Sequence, residues 1–199
     1  MTVDGFALAH LRRSPLGHLA DRLAAAEATG PGGVRLREIP FLAQLNLRLD
    51  PAGPAAARAA EALGAPLPTL AGSVVATADL RVLWLGPDEW LVVGADGAAP
   101  TIEHALRRAL GDEPGSVVDV SANRTTLELS GPSARSVLEQ GCSLDLHPRA
   151  FGPGRCAQTT VAKVQLVLDQ IDAEPSYRLL VRGSFAQYLA DWLLDATGE

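Results

Sequence analysis

From Val34 onward, paired runs of alternating apolar and polar residues are followed by a helix-length segment punctuated by glycine or proline, and this order occurs twice. Residues 34–39 and 42–49 alternate as half-buried strands do. Gly53-Pro54 then opens an alanine-rich helix over residues 54–63, and Gly64 is placed to end it in a left-handed cap. Residues 81–85 and 90–93 read as a hairpin around the turn Gly86-Pro87-Asp88-Glu89. A second helix over 101–110 carries Ile102, Ala105, Leu106 and Ala109 on one face. The second half repeats the order. Strands at 116–120 and 125–129 lead to a helix that Pro132 opens and Gly141 ends. A hairpin of residues 158–168 and 177–181 follows. Ser184 is then expected to cap a helix bearing Phe185, Leu189, Trp192 and Leu193. The likeness lies in element order and not in residue identity. It predicts an α+β fold of two pseudo-repeated ferredoxin-like halves, each ββαββα, with antiparallel sheets and helices on one face.

These halves are placed at residues 34–112 and 113–199 of one α+β domain, 34–199. Residues 1–33 form an N-terminal arm. Leu16, Leu19, Leu23 and Ala26 recur at helical spacing, which predicts a short amphipathic helix over 15–28 that the run Thr29-Gly30-Pro31-Gly32-Gly33 breaks. Two dispositions are open to this arm: packed on its own domain, or on a partner.

Hydrophobic residues make up 47 % of the 199, enough for a substantial core. A net charge of −6 gives no electrostatic basis for binding nucleic acid or an anionic membrane surface. No apolar run reaches the roughly 18 residues that a membrane span requires. Residues 1–9 lack the basic start and long apolar run of a secretion signal, so a cytoplasmic location is expected. Two cysteines, Cys142 and Cys156, are too few for a disulfide framework and show no repeated metal-ligand spacing. They read first as small buried residues, with a regulatory disulfide or a metal site as alternatives.

Asp119 and Ser121 fall at a strand end. There Asp119 can act as a base or hold a ligand amine, or the two can fix the turn by accepting backbone N–H bonds, their commoner use. Arg124, just past that turn, can clamp a carboxylate in bidentate fashion or form a surface or interface ion pair. Asp88 and Glu89 are adjacent on a turn. They do not provide two carboxyls held across a cleft in unlike environments, as acid–base chemistry needs. Trp84 and Trp90 beside them are read as strand core or interface anchors. No G-x-G-x-x-G, Walker or G-x-S-x-G segment is present. His147, in Leu146-His147-Pro148, is the most suggestive of the scattered histidines, and a structural hydrogen bond in a loop is its first reading.

The run Val118-Asp119-Val120-Ser121, followed by Leu127-Glu128-Leu129-Ser130-Gly131-Pro132-Ser133-Ala134, resembles the D-x-S … S-G-P-x-A signature of the folate-binding aminomethyltransferases. Five further segments resemble one branch of that fold family, the gamma subunits of heterotetrameric sarcosine oxidase. They are Pro15-Leu16-Gly17-His18, residues 37–48, Leu85-Gly86-Pro87-Asp88-Glu89-Trp90-Leu91, Gly141-Cys142-Ser143-Leu144-Asp145-Leu146-His147-Pro148-Arg149 and Phe151-Gly152-Pro153-Gly154-Arg155-Cys156. The resemblance implies a structural subunit without catalysis of its own, with alpha, beta and delta subunits as partners. The complex it implies demethylates sarcosine oxidatively to glycine with oxygen and tetrahydrofolate. FAD, FMN and NAD lie on alpha and beta and zinc lies on delta, with no cofactor in this chain. The wider family carries its reactive carboxylate near an N-x-x-G-G-x-x-D-D-like hairpin. By order that segment falls on residues 158–170, which here contain no glycine and a single acid, Asp169. Hence no catalytic, cofactor or metal residue is carried over. Asp119 and Ser121 are assigned to a structural turn, and Phe41, Arg48 and Arg124 to an interface. A free-standing folate-binding or one-carbon-transfer protein of the same fold is the alternative.

Overall fold

The structure is a computed structural model that describes residues 11–26 and 33–198. Among the described residues, ten strands and four helices follow one another in two equivalent passes. In the first, β1 (Arg35–Ile39) and β2 (Ala43–Leu49) lead to α2 (Pro54–Leu63). β3 (Val74–Ala76), β4 (Leu80–Gly86), β5 (Glu89–Gly94) and α3 (Ala99–Leu110) follow. In the second, β6 (Gly115–Asp119) and β7 (Arg124–Ser130) lead to α4 (Ala134–Glu139). β8 (Cys156–Val161), β9 (Val164–Asp172), β10 (Ser176–Arg182) and α5 (Gly183–Ala196) complete it. Before both passes, a 3₁₀ turn at Gly17–Leu19 runs into α1 (Ala20–Ala26).

Each pass has one strand more than the ββαββα order expected. In the second half, what reads as one strand over 158–168 is the two strands β8 and β9, turned at Ala162 and Lys163. Both turn residues have positive φ, 49° and 73°. Such a tight turn normally carries Asn or Gly, so the sequence gives no punctuation there. The described residues form two antiparallel five-stranded sheets, ordered β1-β7-β10-β9-β8 and β3-β4-β5-β2-β6. Reading the second backwards gives β6-β2-β5-β4-β3, the exact counterpart of the first. Each half therefore lends its opening strand to the other's sheet: β1 pairs with β7, and β6 pairs with β2. A division at 112/113 by element order is thus not a division between sheets.

The layers run helix, sheet, sheet, helix. Ala43, Leu45, Leu47 and Leu49 of β2 alternate toward α2 and α3, where Ala59, Leu63, Ile102 and Leu106 meet them with Trp90 and Val92 of β5. Leu127 and Leu129 of β7 and Leu179 and Val181 of β10 pack under α4 and α5. A smaller apolar cluster, Leu83, Leu91, Val93, Cys156, Val167 and Leu180, lies between the sheets. Pro54 begins α2, and Gly64 ends it at φ 62°, the left-handed cap expected from the sequence. α5 departs from expectation. Its N-cap is Arg182 with no side-chain bond, so Ser184 lies inside the first turn and does not cap it. Phe185 points outward, 49 % exposed, while Ala186, Leu189, Ala190, Leu193 and Leu194 are buried. The buried stripe starts one residue later than the spacing counted from Phe185.

The arm packs on its own domain. Leu16 is fully buried and Leu23 nearly so, both in the core beneath α4 and α5. Arg22 reaches Asp191 of α5 at 2.6 Å, and His18 lies 3.3 Å from Gln187. The expected helix end at 27–28, the breaker at 29–32 and the N-terminal nine residues lie outside the described residues.

Candidate functional site

Beside the apolar cluster between the sheets, polar side chains also face from one sheet toward the other, and several are paired. Asp169 of β9 is 1 % exposed. Arg81 of β4, in the opposite sheet, grips it with two bonds of 2.7 Å, from Nε to Oδ2 and from Nη2 to Oδ1. Glu128 of β7 accepts from Arg37 of β1 at 2.8 Å and from Arg178 of β10 at 3.4 Å. Cys156 Sγ donates across the sheets to Trp84 O at 3.4 Å. Burial and the nearby Asp169 carboxylate push this thiol up to about 12, so it stays protonated. At Gly72 two segments of the backbone approach closely. Cys156 N donates to Gly72 O at 2.8 Å, and a Cβ on Gly72 would stand 2.7 Å from Cys156 O. Its φ of 66° also suits glycine.

Asp119 and Ser121 close the turn between β6 and β7. Asp119 Oδ1 accepts from Ser121 N at 2.9 Å and from Ser121 Oγ at 2.5 Å. Ser121 Oγ in turn accepts from Gln44 N at 2.9 Å, fastening the turn to β2. β7 begins at Arg124, whose carbonyl accepts from Gln44 Nε2 at 3.2 Å. Its guanidinium is half-buried and its pKa is lowered, first by burial and then by the neighbouring Arg182, with Glu89 acting in the opposite sense.

Arg124 borders two adjoining hollows. One, of about 450 Å³, is also lined by Arg12, Phe41, Asp119 and Ser121. The other, of about 270 Å³, is also lined by Gln158, Thr160, Gln165 and Arg182. Phe41 holds a left-handed backbone, φ 63°, at the β1–β2 turn. The Arg12 guanidinium caps its ring at 4.1 Å and also pairs with Asp96 at 2.8 Å. Arg48 is exposed and pairs with Asp88 at 3.1 Å. Glu89 turns the other way and accepts from Asn46 Nδ2 at 2.7 Å, so the two turn acids do not converge. Trp90 is fully buried and donates Nε1–H to Pro68 O at 2.8 Å. His147 lies in a self-bonded loop, where its Nδ1 accepts from Arg149 N at 3.2 Å. Cys142 and Cys156 are free thiols.

The structure thus brings Asp119, Ser121, Phe41 and Arg124 together around one hollow and leaves Arg48 apart from them. Sequence reading missed Arg182 and the Arg81–Asp169 pair. A signal existed in part. Asp169 follows Val167-Leu168 in an apolar strand, and a charge in that setting must find a partner. The partner, 88 residues away, was invisible. No group of three or more metal-ligating side chains occurs among the described residues, and no helix there is long and apolar enough to cross a membrane. Asp119, the carboxylate that lines these hollows, is engaged by its own turn. The arrangement is suited to holding an anion and offers no free acid–base pair.

A family model described as "Sarcosine oxidase, gamma subunit family" matches residues 48–199. The chain is 47 % identical over 193 residues to the sarcosine oxidase subunit gamma of Corynebacterium sp. (strain P-1), covering 95 % of this chain and 91 % of the relative. Among solved structures, it matches a chain of the heterotetrameric sarcosine oxidase from Corynebacterium sp. U-96 in complex with pyrrole 2-carboxylate. There the TM-score is 0.88 and the identity 44 %, covering 94 % of this chain and 95 % of that one. The glycine cleavage system aminomethyltransferase T from Bartonella henselae shares the fold. Its TM-score is 0.67 at 17 % identity, covering 92 % of this chain and 57 % of that one.

Proposed function

This chain belongs to the sarcosine oxidase gamma subunit family, and from that premise we propose that it is a non-catalytic structural subunit of a heterotetrameric sarcosine oxidase. Its partners are the alpha, beta and delta subunits. The complex oxidatively demethylates sarcosine to glycine with tetrahydrofolate and oxygen. FAD, FMN, NAD and zinc belong to those partners. Supporting the reading is the solved heterotetramer that contains so similar a chain.

One observation carries the non-catalytic part. Asp169, the single acid of the 158–170 hairpin, is buried and held at both oxygens by Arg81. A carboxylate fixed in that way ties two sheets together and cannot approach a substrate. Phe41, Arg48 and Arg124 are the proposed contacts to neighbouring subunits, since aromatic and arginine side chains anchor interfaces. The test is co-expression with the three partner subunits. The purified chain alone is expected to show no flavin absorbance and no sarcosine-dependent peroxide, and the complex both. Peroxide production by the lone chain at a rate comparable with the complex overturns the reading.

A further inference from the structure

Several arginines on the facing sides of the two sheets have a carboxylate partner. Arg37 and Arg178 share Glu128, and Arg81 is matched to Asp169. Arg124 and Arg182 form no ion pair among the described residues, although a chain of net charge −6 is not short of carboxylates. They are register partners, Arg124 beginning β7 and Arg182 ending β10, so their side chains leave the same face side by side. Two cations held together cost free energy unless a counter-charge joins them, and burial of Arg124 raises that cost. Glu89, the carboxylate that acts on Arg124, accepts from Asn46 and forms no ion pair with either arginine among the described residues. Both arginines line the cleft of about 270 Å³, whose other walls offer the amides of Gln158 and Gln165 and the hydroxyl of Thr160.

We propose that this cleft is a carboxylate-binding site, in which the paired guanidiniums of Arg124 and Arg182 hold the oxygens and the surrounding amides and hydroxyl orient the rest of the ligand. Guanidinium forks match a carboxylate with parallel hydrogen bonds, and a site of this kind takes a free small organic acid or an acidic side chain of a neighbouring subunit by the same chemistry.

The test titrates the full chain with succinate against sodium chloride at equal ionic strength, following the backbone resonances of residues 158–167 and the Arg Nε–H signals by NMR. Saturable shifts confined to the cleft are expected. Arg182→Gln, at an exposed position, keeps the fold by circular dichroism and weakens binding by about tenfold, as does Arg124→Gln. No saturable shift in the folded chain, or binding that both variants leave unchanged, overturns the proposal. Repeating the titration on the assembled complex separates the two sources. Succinate binding that persists there assigns the site to a free acid. Binding lost on assembly, together with weaker subunit association of Arg182→Gln, assigns it to a partner's carboxylate. The free-chain titration does not depend on the subunit role proposed above, so either can fail alone.

Discussion

Removing one member of the Arg81–Asp169 pair leaves a charge buried without its counter-ion, since Asp169 keeps only 2 % of its side-chain surface and Arg81 15 %. Asp169→Asn is therefore expected to cost about 3–5 kcal/mol, read from the urea midpoint. The double change Arg81→Met with Asp169→Leu should cost clearly less, because it removes both desolvation penalties. Equal losses in the two variants would contradict this account. Cys156 makes a prediction in pH. Its thiol is pushed from the ordinary 9.0 up to about 12 in the folded chain. Above pH 9 the unfolded chain releases a proton that the folded chain keeps, so stability is complete below about 9 and falls as pH rises toward 12. Buried Tyr177 is shifted in the same direction and steepens the upper part of this fall. Cys156→Ala should flatten the slope from pH 9 upward, whatever its effect on absolute stability. An unchanged slope would show that the thiol is not responsible. That Asp119 and Ser121 sit at a turn is legible from their residue types and spacing. Their attachment to Gln44, 77 residues away, is not.

At the level of elements, the arm and the β8–β9 hairpin each carry a consequence. Leu16 and Leu23 contribute to the core under α4 and α5, and a fully buried leucine is worth about 1.5–3 kcal/mol. Leu23→Ala should then destabilise the free chain by about 2–5 kcal/mol, measured by thermal or urea unfolding in the absence of any partner. A loss appearing only in the assembled complex would return the arm to a partner. The hairpin turn holds Ala162 and Lys163 in left-handed backbone, which costs roughly 1–2 kcal/mol per L-residue relative to a permissive one. Ala162→Asn with Lys163→Gly, the pair such turns prefer, should raise the melting temperature. No rise, or a fall, would mean that the side chains pack in ways that outweigh the strain. α2 was legible because its Gly-Pro start and Gly stop are local chemistry, whereas α4 runs Ala134–Glu139 and neither opens at Pro132 nor ends on Gly141 as expected. This hairpin was not, because its turn is made by residues without turn chemistry and is imposed by the strands that flank it.

For the whole molecule, the exchange of β1 and β6 makes the two halves interdependent. A chain cut between residues 112 and 113 should yield fragments that are poorly structured apart and regain native circular dichroism when mixed, since each sheet needs a strand from the other fragment. A native-like spectrum from either fragment alone would show the exchanged strand to be dispensable. The sequence by itself determined the alternation of strands and helices, the amphipathic faces, the turn at Asp119 and the family resemblance, because each is written in spacing and residue type within a dozen positions. Tertiary structure decided which sheet each opening strand joins, that the arm folds back on its own core, and that Arg81 finds Asp169 while Arg124 and Arg182 stand together unmatched. The physical reason is range. Periodicity fixes which face of a strand is apolar, whereas the identity of the neighbour across the sheet depends on how the whole set of apolar faces is buried at once.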